Sequence, residues 1–125
     1  MSLTSDQLPL VLALTISDAG ATEDGSTVTV TIRGEVDVVH ADEISAVVVA
    51  AAEQSETRRV LVDVGGVEFM DSSGISALIT CHHTLTSMHK GFEVVGVANA
   101  TLKLFQVTGV LDLLAPSMRL MTSQS

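Results

Sequence analysis

Residues Val67–Ile79 read VEFMDSSGISALI. The stretch begins as an apolar, strand-like run, stops at an acid, two serines and a glycine, and turns apolar again. One reading is a strand handing over to a helix. Asp71 or Ser72 would then accept a hydrogen bond from an amide that the first helical turn leaves unpaired, worth roughly 1 kcal/mol. Two features exceed what a cap needs. One hydroxyl suffices and there are two, Ser72 and Ser73. Gly74 falls in the first turn, where Ala would stabilise a helix better. A glycine there leaves the serine backbone open to close approach by another surface.

Upstream, Arg59–Asp63 is a short apolar run between polar flanks, a central strand that Gly65 and Gly66 should break. Downstream, Ile75, Leu78, His82, Leu85 and Met88 form one stripe of a helix that Lys90 and Gly91 should end. Phe92–Val97 reads as a buried strand. Asn99 is placed to cap a last helix that Gly109 terminates; Leu111–Met118 carries no clear pattern. Towards the N-terminus, Leu10–Ser17 favours β structure, Ala19–Ser26 has turn composition, and Thr27–Ile32 (TVTVTI) alternates strictly, so a hairpin is expected. Between these halves, Asp42 and Glu43 suit the first turn of a helix. Ile44, Val47, Val48, Ala51 and Ala52 follow at helical spacing, against the weak helix preference of valine.

Strands alternating with helices predict an α/β domain with helices packed on a mixed sheet. Right-handed crossovers bring strand C-termini and helix N-termini to one edge, where sites in such folds concentrate. Two loops are expected there, Gly34–Ala41 (GEVDVVHA) and Gly65–Gly74. The length of 125 residues fits a single domain, with an ordered core over about residues 8–121 and short flexible ends.

Composition narrows the partners. With 6 basic and 15 acidic residues the net charge is −9. Nucleic acid is a poor partner for such a surface, and three phenylalanines without Trp or Tyr offer no base-stacking platform. A partner with a basic face suits it better. Cys81 is the single cysteine, which fits a reducing, cytoplasmic setting. No apolar run is long enough for membrane insertion.

Enzyme chemistry finds little support. Ser72 and Ser73 lack the GxSxG elbow of a hydrolase, and nothing in the sequence ties His40 to them. Cys81, His82 and His83 are consecutive, about 100° apart on a helix, and cannot converge on one metal ion. Neither a Walker loop nor GxGxxG is present. No cofactor is implied. In any phosphate chemistry this chain reads as substrate, not catalyst.

Three segments, GEVD (Gly34–Asp37), VLVDVGGVEFMDSSGI (Val60–Ile75) and LFQVTGVLDLL (Leu104–Leu114), resemble in order and kind the STAS domain of bacterial anti-sigma factor antagonists. The resemblance spans nearly the whole chain. It implies a single STAS-like domain, with a mixed four- to five-stranded sheet and helices mainly on one side. It also implies a role in transcription regulation. The unphosphorylated antagonist captures an anti-sigma factor that is also a serine kinase, the phosphorylated form releases it, and a phosphatase resets the cycle. By this resemblance Ser72 is the phospho-acceptor, and Asp37, Asp71, Ser73, Gly74 and Ile75 belong to the partner face of a monomer or weak dimer. Gly65 and Glu68 stand where hydroxyl residues are common in the family, and Glu68 adds an acid beside the site. Alternative readings are a STAS scaffold in a stress-signalling complex, a soluble subunit of a lipid transporter, or a module sensing a nucleotide or another small molecule.

Overall fold

The computed structural model describes residues 11–13 and 26–116. The described strands are β1 (Val11–Ala13), β2 (Ser26–Val36), β3 (Thr57–Met70) and β4 (Gly91–Val95). The described helices are α1 (Val38–Ala52), α2 (Ser72–Ser87), α3 (Asn99–Thr108) and the single turn α4 (Leu111–Leu114). The sheet order is β1-β2-β3-β4. β2, β3 and β4 are parallel, and β1 joins β2 antiparallel, with Val11 opposite Arg33. The body of the sheet is thus three parallel strands. The expected four to five is reached, at its lower bound, only by counting the three residues of β1. The expected hairpin turn, both chain ends and the limits of the ordered core lie outside the described residues.

The alternation in β2 decides its packing. Val28, Val30 and Ile32 are buried while the threonines between them are half-buried. In register beside them, Val60 and Val62 of β3 and Val94 of β4 continue the same apolar face. Onto this face pack Ile44, Val48, Ala51 and Ala52 of α1, Leu78, Cys81 and Leu85 of α2, Phe105 of α3 and Leu114 of α4, in one cluster. Lys90, after α2, donates its ammonium to the carbonyls of Ala52 and Gln54, closing the C-terminal end of α1.

Several boundaries differ from the sequence expectation, each for a local reason. β3 is not broken at Gly65 and Gly66; it runs on to Met70, and its pairing with β2 resumes after each of two irregularities. Two register shifts let β3 take seven steps from Asp63 to Met70 where β2 takes five from Thr31 to Val36. Gly66 accommodates Arg33, whose Cγ would lie 2.7 Å from a Cβ there. On β2, Gly34 holds φ 97°, a conformation glycine adopts without strain. α1 begins at Val38, so Asp42 and Glu43 lie in its second turn, not its first. Asn99 is not the cap of α3: it takes φ 51°, and Thr101 Oγ1 accepts instead from the amide of Ala98, at 3.2 Å. α2 ends without help from Gly91, because His89 supplies the left-handed residue, φ 61°. Gly109 does close α3, at φ 76°. Leu111–Leu114 of the unassigned tail is helical.

Candidate functional site

Two strand–cap–helix units stand side by side at the C-terminal edge of the sheet. Val36 pairs with Met70, and the amide of Asp71 donates to the carbonyl of Val36 at 3.2 Å. The next residue of each unit is an N-cap with extended backbone: Asp37 at φ −136° and Asp71 at φ −106°. Asp37 Oδ1 accepts from the amide of Val39 at 3.0 Å. Asp71 Oδ1 accepts from the amides of Ser73 at 2.9 Å and Gly74 at 3.4 Å. Both carboxylates therefore sit at the positive ends of helices, where a negative charge is stabilised.

The sequence places Asp37 within a loop, Gly34–Ala41. It is instead the cap of α1. It also faces His40, whose Nδ1 lies 3.2 Å from Asp37 Oδ1 while the ring is buried. That contact gives His40 a packing role.

Ser72 is the first residue of α2 and is exposed; Ser73 is half-buried. Between the N-terminal halves of α1 and α2 lies an open groove of about 460 Å³, lined among others by Val38, Asp42, Ser45, Ser72, Ser73 and Ser76. The structure brings Ser72, Ser73, Asp37 and Asp71 to this edge. It does not bring Gly74 and Ile75 to the surface. Ile75 is a core residue. A Cβ on Gly74 would lie 2.6 Å from Met70 Cγ and 2.9 Å from Val36 Cγ1. Glycine is there because the helix starts hard against the strand ends, not to admit another molecule. Both residues support the site from beneath.

Sequence reasoning missed three residues at this edge. Val38, Val39 and Phe69 are 69%, 67% and 48% exposed. The unbroken reading of GEVDVVHA as a loop concealed the first two, since valines in a loop need not point anywhere in particular. Phe69 was assigned to a strand-like run, and only the second register shift turns it outward beside Glu68, which is also exposed.

Further along α2, Cys81 is fully buried and hydrogen-bonded to the Ser45 side chain of α1. Burial raises its thiol pKa to about 11, and the Ser45 hydrogen bond opposes this in part. His82 is half-buried, edge-on to the ring of Phe92, and His83 is exposed, so the three neighbours diverge as the helical geometry requires. Among the described residues no group of His, Cys, Asp and Glu is arranged to hold a metal, and no helix is long and apolar enough to cross a membrane.

A family model described as "Mlab, STAS domain" matches residues 19–116. An anti-sigma-B factor antagonist of Staphylococcus aureus is 31% identical over 85 residues, which are 68% of this chain and 78% of that protein. An anti-sigma factor antagonist from Mycobacterium paratuberculosis shares the fold with a TM-score of 0.67 at 24% identity, over 93% of this chain and 95% of that one. The Bacillus cell fate determinant SpoIIAA, solved in its phosphorylated form, aligns with a TM-score of 0.57 at 22% identity, over 78% and 85% of the two chains. Paired strand–cap–helix units on a parallel sheet, and a family match across most of the sequence, give one conclusion: this chain belongs to the STAS domain family.

Proposed function

We propose that this protein is an anti-sigma factor antagonist controlled by phosphorylation of Ser72. Unphosphorylated, it captures an anti-sigma factor with serine kinase activity and so frees a sigma factor. Transfer of the ATP γ-phosphoryl group to the Ser72 hydroxyl, with loss of the hydroxyl proton and release of ADP, ends the capture. A phosphatase hydrolyses the phosphoserine and restores the first state. The observation that carries this reading is the presentation of Ser72: an exposed hydroxyl on the first residue of α2, beside the capping carboxylate of Asp71. The antagonist relatives support the general role. Ser73 is the weaker candidate, being half-buried, with its amide engaged by Asp71.

The physics suits a switch. A phosphate adds about −1.5 to −2 charges at neutral pH. The segments Gly34–Glu43 and Gly65–Ser76 already carry Glu35, Asp37, Asp42, Glu43, Glu68 and Asp71, with no Lys or Arg. In free protein, solvent and salt screen the added charge. In a docked interface water is excluded, and a penalty of about 3 kcal/mol lowers affinity by a factor of roughly a hundred.

The test is direct. The purified protein is incubated with ATP and each anti-sigma factor of its own organism, and phosphate is located by mass spectrometry. Labelling at Ser72 with loss of a complex that forms in ADP is the expected result. Capture that persists unchanged after Ser72 is fully phosphorylated would refute the switch.

A further inference from the structure

We infer that a phosphoryl group on Ser72 lies in the groove between α1 and α2, with the Ser76 hydroxyl donating to it and the Asp42 carboxylate opposing it. This rests on the function proposed above and adds two positioning residues to its switch. Ser76 draws the phosphate over the groove, and Asp42 limits the charge that the phosphate delivers near neutral pH.

The placement follows from the way the two helices begin. Val38 and Ser72 are the first residues of α1 and α2, each directly after its capping aspartate. The strand ends that carry the caps are bonded to each other, so the helices start side by side. Four residues on, Asp42 and Ser76 hold the same place in their helices. All four side chains line the groove. On one helix, neighbours at this spacing stand ~5–6 Å apart between Cβ atoms, a gap that a phosphate on the Ser72 oxygen can bridge to Ser76. Ser76 is exposed, and its hydroxyl has no hydrogen-bond partner among the described residues. The other groove residues serve less well. Val38 has no donor to offer. Ser45 is hydrogen-bonded to Cys81. Thr80 is a further turn away, roughly 12 Å along the helix from Ser72.

Asp42 is the only charged side chain that lines the groove. It is exposed and has no ion-pair partner among the described residues. Glu35, Asp37, His40, Glu43, Glu68 and Asp71 belong to the same edge but do not line the groove, and Arg33 lies over Gly66 of β3. A phosphoserine takes its second negative charge at about pH 6. A carboxylate across the groove disfavours that second charge and raises the midpoint of its titration. A hydroxyl donating to the phosphate favours the charge and lowers the midpoint. Asp42 and Ser76 thus act in opposite senses on one measurable quantity.

The test titrates the phosphate by phosphorus NMR at physiological salt, in full-length protein that carries genetically encoded phosphoserine at Ser72, so that no kinase is needed. Asp42→Asn should lower the midpoint by roughly half a pH unit. Ser76→Ala should raise it by roughly a few tenths of a pH unit. Thr80→Ala, in the groove but distant, should leave it unchanged. Glu43→Gln removes an acid on α1 outside the groove and should shift the midpoint less than Asp42→Asn. All four side chains are exposed, so circular dichroism should show the same fold in every variant. A midpoint that Ser76→Ala leaves unchanged, or that Asp42→Asn moves no further than Glu43→Gln does, would place the phosphate in open solvent. That result overturns the inference and leaves the proposed function standing. Failure of every anti-sigma factor to label Ser72 would instead refute the proposed function, while the titration still reads where the phosphate lies.

Discussion

Asp37 and Asp71 occupy equivalent positions in adjacent units, each capping the helix that follows its strand, with the amide of Asp71 bonded to the residue before Asp37. The two helix starts are therefore held in fixed relation by the sheet itself.

For Asp37 this predicts a separable pair of effects. Asp37→Ala should cost about 1 kcal/mol of stability through loss of the cap. Asp37→Ser should recover most of that, since its hydroxyl can accept from the amide of Val39, but should not recover the charge. Thermal melts and binding measured on the same two variants check this. The expected result is restored stability with affinity still reduced; full recovery of both would make Asp37 a cap alone.

The choice of serine is tested by substitution. Ser72→Ala should abolish labelling by the cognate kinase and leave a constitutive antagonist, while Ser73→Ala should still be labelled. Labelling that follows Ser73 would assign the site to the wrong neighbour.

At Gly74 a single methyl group decides between two opposed effects. Ala is the better helix former by about 1 kcal/mol. Against this, its Cβ would press on Met70 and Val36, an overpacking that typically costs 1 to about 3 kcal/mol. Gly74→Ala should therefore destabilise the protein, and Met70→Ala in the same chain should relieve part of the loss. Denaturant melts of the two single variants and the double variant give the coupling.

Cys81 sets a high-pH dependence. Burial pushes its folded pKa up to about 11, from the 9.0 of a free thiol. The raised value means that the folded state holds the proton more tightly than the unfolded chain does. The stability it contributes is complete below pH 9 and is lost as pH rises towards 11. Two pKa units correspond to about 3 kcal/mol at most. Cys81→Ala should be less stable at neutral pH yet show a shallower decline between pH 9 and 11. Equal slopes in the two proteins would show that the thiol is not the group responsible.

Phosphorylation is expected to act locally. At the N-terminus of α2 an anion is favoured by roughly 0.3–1 kcal/mol, while Asp37, Glu68 and Asp71 oppose it through screened repulsion. The free protein should keep its helix content and thermal stability. Amide shifts should change around Ser72 and little along β2 and β4; changes spread over those strands would mean that the sheet itself is the switch.

Local pattern settled most of the architecture. Alternation fixed the inward face of β2, and helical spacing fixed the buried stripes of α1 and α2, because burial on one face imposes the period of the element on the sequence. The motif at Asp71–Gly74 was legible as a helix start for the same reason: capping is short-range chemistry. The tertiary structure decided what depends on a neighbour. The continuation of β3 through Gly65 and Gly66 rests on its pairing with β2, which no window on β3 alone contains. The start of α1 at Val38, and with it the capping role of Asp37, follows from where β2 ends. Gly74 and Ile75, placed on the partner face by the family resemblance, are buried because α2 begins against Val36 and Met70. Val38, Val39 and Phe69 are ordinary core residues by composition; only the geometry of two adjoining strand ends leaves them facing water.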